Sequence, residues 1–363
     1  MTEGVECTQN YASAVSSTGV MTLRFGRSTR VAGIFAQTFC ALIFATYFFY
    51  WLYALIIAAM LIWTGLMSVN VFAACTVAYF TSLFIYKPQN GKGWPFHWFL
   101  YSSFTDAVLG YHDSTVIREA ELDTSRKYMF AMSPHGVFGV CRAFSGGAKA
   151  WKRMFPGVSA RWGSFGGAFF FPGVREFSLS VGCLDASRPV LKKAMKRGEN
   201  IILLPGGITE MSLTDGNSKE TLLTQSNRKG FVKIAIEGGM DVVPGFCFGE
   251  KWVHDTVQLP LVVRNFLYKN LRLGGTFIKG RYGTFLGKIA DTNGKSLSLG
   301  YVWGKPIPVT KMDEPTQDYI DEIHAKYMAA ILDIFERYKS RFGYSDEETL
   351  KFVPSGYQPN KEK

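Results

Sequence analysis

Hydrophobic positions follow two different patterns along this chain. From Val31 to Tyr86 there are 56 residues without an Asp, Glu, Lys, Arg or His, and the Leu, Ile, Phe and Trp runs are broken only at Thr64–Asn70, by a glycine and three polar side chains. A bilayer core of about 30 Å needs roughly 20 such residues per helix, so the pattern predicts two spans. The first covers Ile34 to Trp63, with some tilt or a kink, and the second Val69 to Tyr86. Arg24, Arg27 and Arg30 precede the pair and Lys87 and Lys92 follow it, which puts both ends of a hairpin on the cytosolic side. A cleaved signal peptide has a far shorter apolar region, and a soluble core helix would show a polar face. Trp94–Phe104, just beyond the hairpin, is dense in Trp, Tyr and Phe and suits the headgroup region.

Past Lys127 the period changes. Short apolar runs at 128–132, 201–205 and 242–249 read as buried strands, and the basic segments at 188–198 and 228–239 between them read as helices. That alternation predicts an α/β fold with a mixed, largely parallel sheet flanked by helices. Near the end, Ile320, Ile323, Tyr327, Ile331, Ile334 and Tyr338 form one stripe of a long amphipathic helix, acidic at its start, basic at its end and closed by Gly343. The predicted organisation is a mobile cytosolic tail over 1–30, a transmembrane hairpin over 31–86, an interfacial connector over 87–126 and an α/β domain over 127–363.

A net charge of +11 calls for an acidic partner: nucleic acid, anionic headgroups or a phosphorylated cofactor. The basic residues are dispersed and no recognition motif occurs, which argues against nucleic acid and leaves membrane lipids and phosphorylated ligands. The six cysteines stand singly and read as reduced packing residues; with no H-E-x-x-H or mixed Cys/His cluster, no metal is expected.

Chemistry in an α/β sheet collects at the carboxyl ends of its strands, and two motifs fall there. One is Ser133-Pro134-His135-Gly136, where the proline stiffens the approach, Gly136 lets the backbone come close to a ligand, and the histidine could act as a base. The other is Pro205-Gly206-Gly207 with Glu210 three residues beyond, placed to reach back into the cleft. Each has a plainer alternative, a histidine that only bonds a carbonyl and a simple tight turn.

Combined with "RKGFVKIAIEGGMDVVPGFCFGE" (228–250), "VWGKPIPV" (302–309) and "PTQDYIDEIHAKYMAAILDIFERYK" (315–339), these motifs resemble the type-2 diacylglycerol acyltransferase family, which includes monoacylglycerol acyltransferases and wax synthases. The resemblance covers most of the chain and makes 127–363 an acyltransferase domain. The family's usual His-Pro-His-Gly reads Ser-Pro-His-Gly here, so the catalytic role carries over to His135 alone. It implies transfer from acyl-CoA to diacylglycerol, giving triacylglycerol, with a monoacylglycerol or a long-chain alcohol as the alternative acceptor.

The acyl thioester is already activated, so no cofactor, metal or covalent enzyme intermediate is required, and a histidine base typically supplies 10²- to 10⁴-fold, roughly 3–5 kcal/mol. His135 takes that role. The aspartate of the related His-x4-Asp motif is absent, Val140 standing in its place, and Glu210 is the candidate to hold the imidazole, with a backbone carbonyl as the alternative. Backbone N–H groups at Gly136, Gly206 or Gly207 could stabilise the oxyanion, and Arg228 and Lys229 could pair with the phosphates of coenzyme A, their alternative being a solvated basic face. His97, His112, His254 and His324 read as structural. No G-x-S-x-G elbow supports a serine hydrolase. The expected location is the endoplasmic reticulum membrane with the active domain facing the cytosol, and lipid droplets as a second site. Homo-oligomerisation stays open. A reading from another class, a non-catalytic lipid-binding or droplet-coating scaffold, would need neither His135 nor Glu210.

Overall fold

The computed structural model describes residues 6–8, 11–16, 19–136, 139–144, 146–260, 262–263, 276–291 and 294–357. Parts of the expected tail (1–5), Val137 and Phe138 of the histidine stretch, and the last six residues of the expected domain lie outside the described residues. Its strands are β1 (Glu6–Thr8), β2 (Tyr11–Val15), β3 (Met21–Phe25), β4 (Ser114–Arg118), β5 (Lys127–Ser133), β6 (Ala160–Ser164), β7 (Leu184–Asp185), β8 (Asn200–Leu203), β9 (Glu220–Leu223), β10 (Met240–Phe248), β11 (Asp255–Gln258), β12 (Thr276–Lys279), β13 (Gly300–Trp303) and β14 (Thr349–Phe352).

Ten strands form one mixed sheet in the order β1-β2-β3-β4-β13-β10-β5-β8-β6-β7. The half from β10 to β7 is all parallel, as the apolar runs at 128–132, 201–205 and 242–249 predict, and the N-terminal half is mostly antiparallel. Alternation along β5 sorts its side chains between two cores. Tyr128, Phe130 and Met132 join Trp151, Phe155 and Trp303 on one face, while Met129 and Ala131 join Leu191, Val232, Tyr327 and Ile331 on the other. The second face is covered by helices Arg188–Lys196 and Gly230–Gly238 and the long helix Gln317–Tyr338, whose stripe is buried from Ile320 to Ile334. Each of its large apolar side chains contributes about 1.5–3 kcal/mol of burial. Thr316 caps that helix by accepting from the Tyr319 N–H.

Two boundaries differ from the expected ones. Within the expected tail, Met21–Phe25 is a sheet strand: Leu23 and Phe25 point inward, Thr22 and Arg24 outward, and the strand pairs with β4 along its whole length. The sheet therefore starts before the apolar segment, and β4 lies inside the expected connector. The other difference is in the first apolar span, which is two helices, α1 (Val31–Ala45) and α2 (Tyr50–Trp63), bent by 98° where they meet. The bend exceeds a kink because α1 lies on the domain. Phe44, Ala45 and Tyr47 enter the same core as Phe130, and Gln37 accepts from the Ser28 N–H and donates to the Gly26 carbonyl. By contrast α2 is almost wholly exposed, as is α3 (Val69–Ile85), whose continuation to Asn90 makes one stretch of 22 residues long and apolar enough to cross a membrane.

The apolar segment leaves and rejoins the same sheet domain. It begins six residues after β3, and at its exit Arg161 in β6 donates to the Gly91 carbonyl. The α3 helix is tied down by Tyr79, whose hydroxyl donates to Glu176 at 2.9 Å, and by Arg175, which donates to the Tyr86 carbonyl. Trp94, Phe96 and Trp98 stay exposed just beyond it.

Candidate active site

Three neighbouring parallel strands, β10, β5 and β8, end together, and each is followed by a candidate group: Glu250, His135 and Glu210. His135 follows the last β5 residue by two. It is partly buried, and its Nδ1 lies 3.1 Å from the Gly136 carbonyl, which fixes the tautomer with the proton on Nδ1 and leaves Nε2 as the acceptor. Burial, followed by the charge of Arg142, pushes its pKa down to about 4, so the ring is neutral near pH 7.

Glu210 does reach this segment, but not at the ring. Its Oε2 accepts the main-chain N–H of His135 at 3.0 Å, and its Oε1 accepts the Thr224 N–H at 3.0 Å and Gln225 Nε2 at 2.8 Å. The expected contact with the imidazole is thus replaced by the Gly136 carbonyl, the alternative orienter. Glu210 is fixed so tightly because Gly206 has no side chain: a Cβ there would lie 1.7 Å from the Glu210 Cδ. Burial pushes its carboxyl up to about 7, against the lowering effect of the three donors.

The Pro205-Gly206-Gly207 turn is braced from outside. Arg228 donates to the carbonyls of Pro205 and Gly206, at 3.1 and 2.8 Å, and to Thr209 Oγ1 at 2.8 Å. Lys229 pairs with Asp321 at 2.8 Å. Both cations expected to meet coenzyme A phosphates therefore already have protein partners. The Gly207 N–H donates to the Leu204 carbonyl, which removes it as an oxyanion donor; the Gly136 N–H makes no hydrogen bond to a described residue. Pro134 is buried.

Several groups around the histidine had no motif of their own. Glu250, buried after β10, accepts the Cys141 N–H at 2.7 Å, and a Cβ on Gly136 would lie 2.1 Å from its Oε2. Burial pushes its carboxyl, too, up to about 7. Cys141, Cys247 and Glu250 each bring a ligand-type atom within 4.8 Å of the others, a grouping that singly scattered cysteines do not announce. Burial, then the hydrogen bond with Cys141, holds the Cys247 thiol well above its ordinary value. Ser133 is fully buried on the opposite side of β5 from Met132. Its Oγ accepts from Gln225 Nε2 at 2.5 Å and lies 3.1 Å from the Tyr327 hydroxyl. By strand parity any side chain at 133 faces the C-terminal helix, so a histidine there would meet Tyr327 rather than share the work of His135.

The remaining histidines stand apart. His112 and His254 are buried, burial pushing them down to about 3 and about 4, and His254 Nε2 lies 2.9 Å from the Phe285 carbonyl. His97 stacks on Tyr101, and His324 is buried beside Phe231. An open cleft of about 730 Å³ between Lys305–Pro308 and the C-terminal helix is lined by none of the site residues.

The family profile of diacylglycerol acyltransferase matches residues 59–353, a span that includes all three strand ends. The chain belongs to the diacylglycerol acyltransferase family. It is an O-acyltransferase, and the resemblance read from the sequence holds over the blocks that carried it. Among its relatives, mouse diacylglycerol O-acyltransferase 2 is 32% identical over 76% of this chain and 73% of that protein. Human acyl-CoA wax alcohol acyltransferase 1 is 28% identical over 76% of this chain and 86% of that protein, and bovine diacylglycerol O-acyltransferase 2-like protein 6 is 27% identical over 82% and 90%. A crystal structure of the 1-acyl-sn-glycerophosphate acyltransferase of Thermotoga maritima aligns with a TM-score of 0.34 at 12% identity, covering 82% of this chain and 97% of that one; nothing about this chain follows from it.

Proposed function

We propose that this member of the family transfers a fatty acyl group from acyl-CoA to the hydroxyl of diacylglycerol, with His135 as general base. The observation that carries the reading is the neutral imidazole at the end of β5, its Nδ1 proton held by the Gly136 carbonyl and its Nε2 left to accept. In the step, Nε2 takes the hydroxyl proton as the oxygen attacks the thioester carbon. The tetrahedral intermediate then collapses with cleavage of the C–S bond, and the imidazolium returns its proton to the departing thiolate, giving triacylglycerol and free coenzyme A. Glu210 is a positioning residue that acts through the His135 main chain. Arg228 and Lys229 brace the turn and the C-terminal helix.

A lipid acceptor would enter from the bilayer side. The elbow between α1 and α2 supports this, since Tyr47 lies within electrostatic reach of Arg142, the same cation that acts on His135. Both ends of the apolar segment are fixed to one sheet, which supports a hairpin with both ends on one side of the membrane; we place it in the endoplasmic reticulum membrane with the domain on the cytosolic side.

The test is incubation of membranes carrying the full chain with labelled acyl-CoA and separate supplies of diacylglycerol, monoacylglycerol and a long-chain alcohol. Triacylglycerol should dominate. Wax ester as the main product would move the assignment to the acceptor named for the human relative, and the absence of any ester would favour the scaffold reading.

A further inference from the structure

We propose that Arg142 is the electrophilic partner of His135: its guanidinium holds the carbonyl oxygen of the acyl thioester and the oxyanion that develops on it during attack. The inference rests on the acyl-transfer reading and adds to it the group that receives the negative charge.

Elsewhere in this fold buried and half-buried guanidiniums are held by protein oxygens, Arg118 by the Met154 carbonyl and Arg228 by the carbonyls of Pro205 and Gly206. Arg153, Arg161 and Arg175 are each partly or fully buried, and each meets a carboxylate: Asp106 at 3.4 Å, Glu199 at 3.0 Å and Glu176 at 3.1 Å. Arg142 is also half-buried; its main-chain N–H donates to the Gly139 carbonyl, and its guanidinium makes no hydrogen bond or contact ion pair to a described residue, Glu250 lying only within electrostatic reach. Removing a cation from water without a partner is costly, so a half-buried guanidinium left open points to a ligand oxygen.

Its position selects the ligand. Arg142 lies in the turn Val140–Ala143, directly after the histidine segment, and Gly139, at φ 70°, turns the chain into it. A Cβ on Gly139 would stand 3.7 Å from both Arg142 Nε and the His135 carbonyl oxygen, so the fork and the histidine backbone flank one point. The turn is pinned by Glu250 through the N–H of Cys141, the residue before Arg142. Glu250 feels the Arg142 charge, which draws its pKa down against the effect of burial, but the two form no contact ion pair, so the guanidinium N–H groups are not taken up by that carboxylate. The phosphates of coenzyme A lie at the far end of the pantetheine arm from the reacting carbon. A cation beside the base therefore meets the carbonyl oxygen, whose charge grows only in the transition state.

The electron count is simple. As the acceptor oxygen bonds to the carbonyl carbon, the C=O π pair moves onto oxygen against the guanidinium; when the C–S bond breaks, that pair returns and the sulfur leaves with the C–S pair. Arg142 donates hydrogen bonds throughout and transfers no proton.

Arg142→Gln in the full chain, assayed in membranes at matched abundance, should lower kcat by about 10²- to 10³-fold with the KM for acyl-CoA unchanged within about twofold. Arg142→Lys, which keeps the charge but not the fork, should recover part of the loss. The groups near His135 are Arg142 in the next turn, Glu210 under its main chain and Glu250 under Gly136. Without the Arg142 charge the imidazolium is less repelled, so the acid limb of kcat/KM should move to higher pH in Arg142→Gln, a shift that a purely structural role would not produce. Unchanged kcat, or a raised acyl-CoA KM at unchanged kcat, overturns the proposal. If Arg142→Gln does not accumulate, Arg142→Lys carries the same test: reduced kcat at constant KM supports the assignment and wild-type kcat overturns it. The wild type in the same assay separates the two claims, since absence of ester from wild type refutes acyl transfer itself.

Discussion

Glu210 and Glu250 stand on opposite sides of one short segment. Both are buried carboxyls raised to about 7, both follow the end of a strand adjacent to β5, and each fits only because a glycine lacks a side chain, Gly206 in one case and Gly136 in the other. They differ in what they hold. Glu210 grips the His135 main chain and is continuous, through Gln225, with Ser133 and the Tyr327 hydroxyl of the C-terminal helix. Glu250 grips the following turn at Cys141 and lies among thiols. The histidine segment is therefore clamped at both ends by groups from its two neighbouring strands, one end fixing His135 and the other fixing the turn that carries Arg142.

The clamp breaks most completely when its space is filled. Gly206→Ala would drive a Cβ into Glu210, and Gly136→Ala would drive one into Glu250 at a backbone φ of 64°. Each should cost roughly 2–4 kcal/mol, visible as lost accumulation and at least about 10²-fold lower turnover. If either variant keeps normal abundance and activity, the close contact at that glycine is not needed.

Removing the charge while keeping the shape sharpens the comparison. In Glu210→Gln one donor-bearing amide nitrogen must face the His135, Thr224 or Gln225 donors, so turnover should fall about tenfold, less than for loss of the base, and the effect should shrink when His135 is already absent. Glu250→Gln should cost a similar amount, with the larger share in the Arg142-dependent step. Equal, fully additive losses with His135→Ala would show that Glu210 acts independently of the histidine.

The two carboxyls also predict a pH dependence of stability. Their folded pKa values near 7 lie above the unfolded value, so their contribution is fully present below about 4.3 and is lost as pH rises through about 7. The wild-type Tm should therefore fall more steeply across that window than the Tm of the double Glu→Gln variant. Parallel curves would show that neither group takes up a proton on folding.

The smallest effects belong to the basic pair. Arg228→Ala should lower Tm and change the kinetics toward donor and acceptor alike, because it unbraces the Pro205–Gly207 turn. Lys229→Ala should change stability by less than about 1 kcal/mol, as expected for an exposed ion pair. A selective rise in acyl-CoA KM in either variant would restore the phosphate role.

Much of this fold could be read from one-dimensional pattern. The runs at 128–132, 201–205 and 242–249 are apolar on both faces because their strands are buried on both faces, and the 320–338 stripe is periodic because one side of that helix packs. Met21–Phe25 carried an alternating signal as well, obscured by its polar flanks. The elbow after Ala45 had none: a segment that is apolar all round shows that it leaves water and not where it bends. His135 and Glu210 stood out through proline and glycine neighbours. Glu250 and Arg142 did not, because the first matters through a contact with Gly136, more than a hundred residues away, and the second through a guanidinium that meets no partner among the described residues.

The central claim is that His135 is the base, and its most direct test is turnover of a His135→Ala enzyme that accumulates in membranes as well as wild type. The account predicts kcat lower by about 10²-fold or more with little change in KM, since base removal acts on the transition state. In the wild type, activity should fall on the acid side only as pH approaches about 4, where the imidazole takes up its proton. Near-normal turnover by the well-expressed alanine variant would contradict it.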